Sequence, residues 1–263
     1  GLAARLFTPI ASLHDEPIVI EGEGTLRHRP MSMMVVPLKE LGVDVRDGGG
    51  RLPIEVCGPI RGGRVTVDGS MSSQFVTGLL IALPLAERDT TIEVEGLVST
   101  PYIDMTLETL ERFGVEVMYH EGDYSEFYIE GGQEFKAVDY TIESDWSAAA
   151  TIMVAAAIAG EVTINNLSTL SRQADTAICR ALERAGASLI IEENSITVEH
   201  RELEAFSFDA TNCPDLFPAL VALAAASAGV STLYGIRRLR GKESDRGEVL
   251  KEEYAKLGID IEL

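Results

Sequence analysis

Apolar and polar positions along this chain fall into a pattern that recurs at long range. Four segments share one form, in which an amphipathic helix ends, a glycine follows, and apolar and polar residues then alternate. They are Leu38-Lys39-Glu40-Leu41-Gly42-Val43-Asp44-Val45, Leu110-Glu111-Arg112-Phe113-Gly114-Val115-Glu116-Val117, Leu182-Glu183-Arg184-Ala185-Gly186-Ala187-Ser188-Leu189, and a last one ending in Lys256-Leu257-Gly258-Ile259-Asp260-Ile261. The glycines at 42, 114, 186 and 258 are evenly spaced, 72 residues apart. Each suits a helix C′ position, where the backbone must take a positive φ before a strand begins. Four matches on one period imply a duplicated structural unit.

The most complete copy predicts an α/β unit. A strand is expected over 64–69, an apolar helix over 72–85, a strand over 91–95, an amphipathic helix over 102–113, and a closing hairpin of 116–119 and 126–130. The order is β-α-β-α-β-β. The next copy spans 138–199, with helices over 146–159 and 175–185, and another begins at Ala205. The first copy opens inside its apolar helix at Gly1, and the last stops at Leu263 before its hairpin closes. The expectation is an internal piece of a longer protein, with one partial domain over 1–143 and a second over 144–263. In each copy the first helix is apolar nearly all round and the second is polar on one face. The helices starting near Ser72, Trp146 and Asp215 are therefore predicted to be buried more deeply than those ending at Phe113 and Ala185.

Composition narrows the function. The formal net charge is −20, which disfavours nucleic acid and anionic membranes as partners. No stretch approaches the ~20 apolar residues of a membrane-spanning helix. The cysteines Cys57, Cys179 and Cys213 are odd in number and far apart, with no disulfide framework or zinc spacing. A reducing cytoplasm and the absence of a metal site are the expectations.

Against this acidic background, a few helix entries carry chemistry. Asp68-Gly69-Ser70-Met71-Ser72-Ser73-Gln74-Phe75 places two hydroxyls at a helix N-terminus, either as a phosphate cradle or as a plain serine cap. Arg237 to Arg246 holds five basic residues in ten, with Glu243 among them. This is either a cationic ligand loop or a solvated charge run. Pro214-Asp215 opens a helix, with Asp215 either a dipole-matched carboxylate or a base over a ligand. Arg27-His28-Arg29-Pro30 offers an anion clamp, and Leu97-Val98-Ser99-Thr100-Pro101-Tyr102 is a hydroxyl-rich helix entry. No Walker loop or dinucleotide fingerprint is present. The residues by themselves point to small phosphorylated or carboxylated anions.

At these residues the chain resembles the 5-enolpyruvylshikimate-3-phosphate synthase family. Val67–Phe75 is similar to its VDGS-x-SSQF segment, Leu97–Asp104 to its LVS-x-PYID segment, Pro214-Asp215 to its catalytic PD, and Lys242–Arg246 to its KE[ST]DR. Gly1–Arg5 resembles its G-T-x-x-R, and Arg29-Pro30 its RP. The resemblance implies the two-domain inside-out α/β barrel of the enolpyruvyl transferases, incomplete in this chain. It implies transfer of the enolpyruvyl group of phosphoenolpyruvate to shikimate 3-phosphate, with no metal or organic cofactor, by a cytoplasmic monomer. Carried over by position, Ser72, Ser73 and Ser99 hold the shikimate phosphate, and Gln74 and Tyr102 line that subsite. Asp215 and Lys242 meet the attacking hydroxyl, with Asp215 as base, and Glu243 delivers a proton to phosphoenolpyruvate. Arg29 and Arg246 grip phosphoenolpyruvate, with Gly1 nearby. Leu2 stands where the family often has Thr, and Arg238 where many members have Asn. The family's N-terminal Lys-Ser segment and C-terminal D-H-R fall outside this sequence, so the chain alone is expected to be inactive. The alternatives weighed are UDP-N-acetylglucosamine enolpyruvyl transferase, which shares the fold, and a non-catalytic repeat scaffold.

Overall fold

The computed structural model describes residues 1–240 and 242–263. The chain separates into two compact units, Gly1–Asp139 and Tyr140–Leu263.

The first unit runs α1 (Leu2–Ala11), β1 (Ile18–Ile20), α2 (Val35–Glu40), β2 (Asp44–Asp47), β3 (Ile54–Cys57), β4 (Gly63–Asp68), α3 (Gln74–Ala82), β5 (Thr90–Glu95), α4 (Thr100–Arg112), β6 (Met118–His120) and β7 (Asp123–Ile129). It forms two sheets, ordered β1-β3-β2 and β4-β5-β7-β6. The first sheet is antiparallel. In the second, β4 and β5 run parallel, with Asp68 opposite Glu95, and the other pairs are antiparallel. A parallel pair needs a crossover, and α3 supplies it. Helix α3 buries six of its nine residues, among them Phe75, Leu79 and Leu80. A fully buried side chain of this size contributes roughly 1.5–3 kcal/mol, so α3 is the apolar post on which the unit is assembled. It packs against α1 at Gly78, where a Cβ would lie 2.5 Å from the Leu6 carbonyl oxygen.

The second unit runs α5 (Trp146–Ala159), β8 (Glu161–Asn165), α6 (Ile178–Arg184), β9 (Ser188–Ile191), β10 (Ser195–Glu199), β11 (Ser207–Asp209), α7 (Phe217–Ala226), β12 (Thr232–Tyr234) and α8 (Arg246–Ala255). Its antiparallel sheet is ordered β8-β10-β9, and β11 pairs in parallel with β12 around α7. Helices α5 and α7 pack together, and the core gathers Trp146, Met153, Ile178, Phe208, Phe217 and Leu220.

All four period-marking glycines close the same turn. Their φ values are 90° at Gly42, 78° at Gly114, 87° at Gly186 and 78° at Gly258. Each glycine N–H donates three residues back, and the next N–H donates five back: Val43 to Leu38 (3.0 Å), Val115 to Leu110 (2.9 Å), Ala187 to Leu182 (3.0 Å) and Ile259 to Tyr254 (3.1 Å). This is the Schellman arrangement, which satisfies the last helical carbonyls and needs a left-handed residue at C′.

The structure corrects three expectations. First, no strand forms at the start of the copy expected from Val138, nor after Gly258. Ile142 is 80% exposed, and the segment's one backbone bond toward β8's end is Ser144 N–H to the Asn166 carbonyl at 3.4 Å. A strand exists only when a neighbour pairs with it. Second, the hairpin expected over 116–119 and 126–130 is formed by Met118–His120 and Asp123–Ile129, so the ladder moves closer to its turn. Third, the burial ranking holds in the first unit, where α4 buries four of thirteen residues, but in the second it holds only for α5, which buries seven of fourteen, and fails for α7. There α7 buries four of ten and α6 three of seven. Pro218 and Ala226 on α7, with Ile152 and Ala155 on α5, stay exposed.

Candidate functional site

The sequence-selected residues gather at helix entries, in one group per unit. In the first unit, β4 and β5 are adjacent and parallel, so the loops leaving them emerge at one end. The β4 loop carries Ser72 and Ser73, and Gln74 opens α3 after it. The β5 loop ends at Ser99, and Tyr102 lies in the first turn of α4. Ser99 sits at the N-cap of α4 with φ 58°, a conformation rare for serine, followed by Pro101 in the first turn. Ser73 is 3% exposed and stands at the N-cap of α3, yet its side chain makes no capping bond. Ser72 Oγ instead accepts from Gln74 N–H at 3.2 Å. The serine cap therefore forms one residue earlier than Ser73, through Ser72, and leaves the buried Ser73 hydroxyl outside the capping role.

Gly1, Arg5, Arg29 and Gln74 form a second part of this group. Gly1 lies against the Arg29 guanidinium so closely that a Cβ there would overlap it. Arg5 is 3% exposed, donates to Gln74 Oε1 at 3.4 Å and to the Pro30 carbonyl at 3.1 Å, and leaves Nε without a partner among the described residues. Burial, and then the charge of Arg29, lowers its pKa to about 10. The charge of Arg29 therefore acts on Arg5, and the two arginines form the cationic part of this group. Arg5 was absent from the expected site residues, although a lone arginine in an apolar helix four residues after Gly1 was the visible signal.

In the second unit, Asp215 lies in the turn Pro214–Leu216 that leads into α7, and Arg246 opens α8. Asp245 caps α8, accepting from Gly247 N–H at 3.2 Å and Glu248 N–H at 3.4 Å, and this fixes the direction of Arg246. Lys242 Nζ and Arg246 Nη1 both donate to Asp215 Oδ1, each at 2.7 Å. Arg246 Nε donates to Glu243 Oε1 at 2.5 Å. Burial pushes the Asp215 carboxyl up, but Lys242 and Arg246 together outweigh it and hold the group below the ordinary aspartate range. The Arg246 bond holds Glu243 low as well. Asp215 makes no cap, and the basic run is neither loose nor uniformly solvated, since Arg238 and Lys242 are half-buried. Gly241 lies outside the described residues.

Beside this cluster sits Asp175, 2% exposed. It accepts from Ser147 Oγ, while Oδ1 is buried with no partner among the described residues. Burial raises its pKa, and the charge of Asp215 adds to the shift. Gln173 ties the same corner together, accepting from Trp146 N–H at 2.9 Å and donating to the Ser144 carbonyl at 2.9 Å. Neither residue stood out in the sequence, because a polar residue near a helix start is ordinary until its burial is known. Among the described residues, no group of three or more His, Cys, Asp or Glu side chains is placed to hold a metal ion.

The profile of the family described as EPSP synthase (3-phosphoshikimate 1-carboxyvinyltransferase) matches residues 1–263. The chain belongs to the EPSP synthase family. A 3-phosphoshikimate 1-carboxyvinyltransferase of Methanocorpusculum labreanum is 38% identical over 94% of this chain and 58% of its own length. One from Methanosarcina acetivorans is 38% identical over 99% of this chain and 62% of its own length. The solved EPSP synthase of Acinetobacter baumannii superposes with a TM-score of 0.75 at 25% identity, covering 99% of this chain and 60% of that one. The chain thus spans about three fifths of the length of these EPSP synthase relatives. The α/β fold of repeated units is the fold of that family. No helix among the described residues is long and apolar enough to cross a membrane.

Proposed function

We propose that the protein carrying this chain transfers the enolpyruvyl group of phosphoenolpyruvate to the 5-hydroxyl of shikimate 3-phosphate and releases phosphate. The observation that carries this reading is the cluster of Asp215, Lys242, Glu243 and Arg246, two carboxylates held by two cations at the entries of α7 and α8. Addition followed by elimination needs a base, an acid and cations for two polyanions, and this cluster offers all three. Asp215 takes the proton of the 5-hydroxyl as its oxygen bonds to C2 of phosphoenolpyruvate. Glu243 must first take up a proton, which requires Arg246 to leave it for the ligand; it then gives that proton to C3, forming a tetrahedral intermediate. Loss of a proton from C3 and departure of phosphate from C2 then restore the double bond. Lys242 lies within reach of the same hydroxyl, and Arg246 holds phosphoenolpyruvate.

In the first unit, Ser72, Ser73 and Ser99 are assigned to the shikimate phosphate, with Gln74 and Tyr102 lining the ring. Arg29 beside Gly1 is assigned to phosphoenolpyruvate, and Arg5 supports it by fixing Gln74. The reading includes a cytoplasmic monomer that needs no cofactor.

The test is phosphate release from phosphoenolpyruvate and shikimate 3-phosphate, in a protein holding this chain at the full length of its relatives. Asp215→Ala and Glu243→Gln are expected to lower kcat by about 10²–10⁴-fold, the usual reach of general acid–base catalysis. Arg29→Ala is expected to act mainly on the KM for phosphoenolpyruvate. Near-normal kcat in Asp215→Ala removes it as the base. Turnover with UDP-N-acetylglucosamine in place of shikimate 3-phosphate overturns the substrate assignment.

A further inference from the structure

We propose that Asp215 and Glu243 occupy the anion-binding cations of the second unit in the ligand-free protein, so that an incoming divalent anion must displace a carboxylate to reach Lys242 and Arg246. The proposal rests on reading these two cations as ligand groups. It adds that the site is self-masked and that substrate unmasks it.

The geometry is specific. A single oxygen, Asp215 Oδ1, receives both Lys242 Nζ and Arg246 Nη1 at 2.7 Å. The Nε edge of Arg246 is used by Glu243 Oε1 at 2.5 Å. Two carboxylates thus cancel two cations, and an anion approaching this cluster meets no net positive charge from it. The pairs are partly shielded from water, with side-chain exposures of 21% for Lys242, 27% for Arg246 and 40% for Asp215. A phosphate and a carboxylate both present anionic acceptor oxygens that fit the guanidinium edge of Arg246, so the two compete for one fork of donors. Arg238, whose charge also acts on Asp215, and the buried Asp175 complete the charged surroundings.

Displacement has a chemical consequence. While Lys242 and Arg246 hold Asp215, its carboxylate is a poor proton acceptor. Once an anion takes those donors, burial is left as the dominant influence, and the carboxylate becomes a stronger base. The base is therefore switched on by the ligand it serves, and the free protein keeps it quiet.

The probe is inorganic sulfate, bound to the 263-residue chain at neutral pH and low ionic strength and measured by calorimetry. Asp215→Asn removes the competing charge while keeping the shape. Its sulfate affinity is expected to rise by about three- to tenfold, the scale of a partly exposed ion pair. Glu243→Gln is expected to give a smaller rise, since Glu243 is the more exposed partner. Adding Arg246→Gln to Asp215→Asn is expected to abolish the gain. Equal or weaker sulfate binding in Asp215→Asn, or no sulfate binding in either protein, overturns the proposal. A second measurement on the unaltered chain guards against a variant that fails to fold. The carbon-13 signal of the Asp215 carboxyl, titrated with acid, is expected to shift its midpoint upward when sulfate is present, and an unmoved midpoint overturns the masking. The turnover assay reports separately on the proposed reaction. A sulfate gain without turnover sinks the reaction and leaves the masking. Turnover without a sulfate gain does the reverse.

Discussion

Gly78→Ala tests how the packing of α1 on α3 positions the first group of site residues. The glycine sits in the middle of α3, and a Cβ there would lie 2.5 Å from the Leu6 carbonyl oxygen and 3.1 Å from the Leu6 carbonyl carbon. Ordinary contact begins near 3.4 Å, so the helices must part by about 0.9 Å. The obstacle is backbone, which no rotamer change removes. Overpacking of this kind costs about 1–3 kcal/mol. Against it stands the gain of about 1 kcal/mol for alanine over glycine within a helix. The net expectation is a loss of about 0–2 kcal/mol from Gly78→Ala. Gly78→Val adds two methyl groups to the same gap and loses the helix-propensity gain, so the cost is expected to exceed that of Ala by at least about 1 kcal/mol. Urea unfolding followed by circular dichroism reads both. Because the contact is with the Leu6 main chain, adding Leu6→Ala is expected to give no rescue. Restored stability in the double variant, or a Gly78→Val variant as stable as the unaltered chain, refutes the close-approach argument. The consequence reaches the site, because α1 carries Arg5 and α3 begins at Gln74, whose contact already stands at 3.4 Å. Parting the helices is expected to break that bond.

Two further predictions concern local strain and buried charge. Gly258→Ala meets open space but must hold φ 78°, so it is expected to cost about 1–2 kcal/mol, and Gly258→Asn less, both read by thermal unfolding. An unchanged melting temperature in Gly258→Ala would show that the turn is not left-handed in solution. Asp175→Asn addresses the buried carboxyl, whose folded pKa is raised above its unfolded value. The unfolded chain therefore gives up its proton first, and this group subtracts stability as pH rises from about 4 through the raised folded value. The stability of Asp175→Asn relative to the unaltered chain is expected to grow over that window and then level off, and a flat difference across it would refute the assignment.

What the sequence determined by itself was local or periodic. The four C′ glycines were legible because a Schellman turn is built from bonds spanning three and five residues, within reach of a short segment. The apolar helix over 146–159 was legible to the residue, since Asp145 caps its start and Gly160 ends it. The polar helix entries at Ser72, Ser99 and Asp215, and the cationic run through Lys242 ahead of α8, were legible as residue types set against an apolar or acidic background. The tertiary structure decided everything that depends on a distant neighbour. The segment around Val138 and the end after Gly258 have strand-like sequence, but no partner within their unit pairs with them. Helix α7 is as apolar as α3, yet its burial depends on what covers it, and hydrophobicity alone cannot say. Arg5 and Asp175 became notable only when their burial was known, because the energy of a charge is set by the dielectric and partners around it. The pairing of Lys242 and Arg246 on one oxygen of Asp215 joins groups 27 and 31 residues apart. No sequence spacing encodes that choice, which follows from how α7 and α8 are set down on their core.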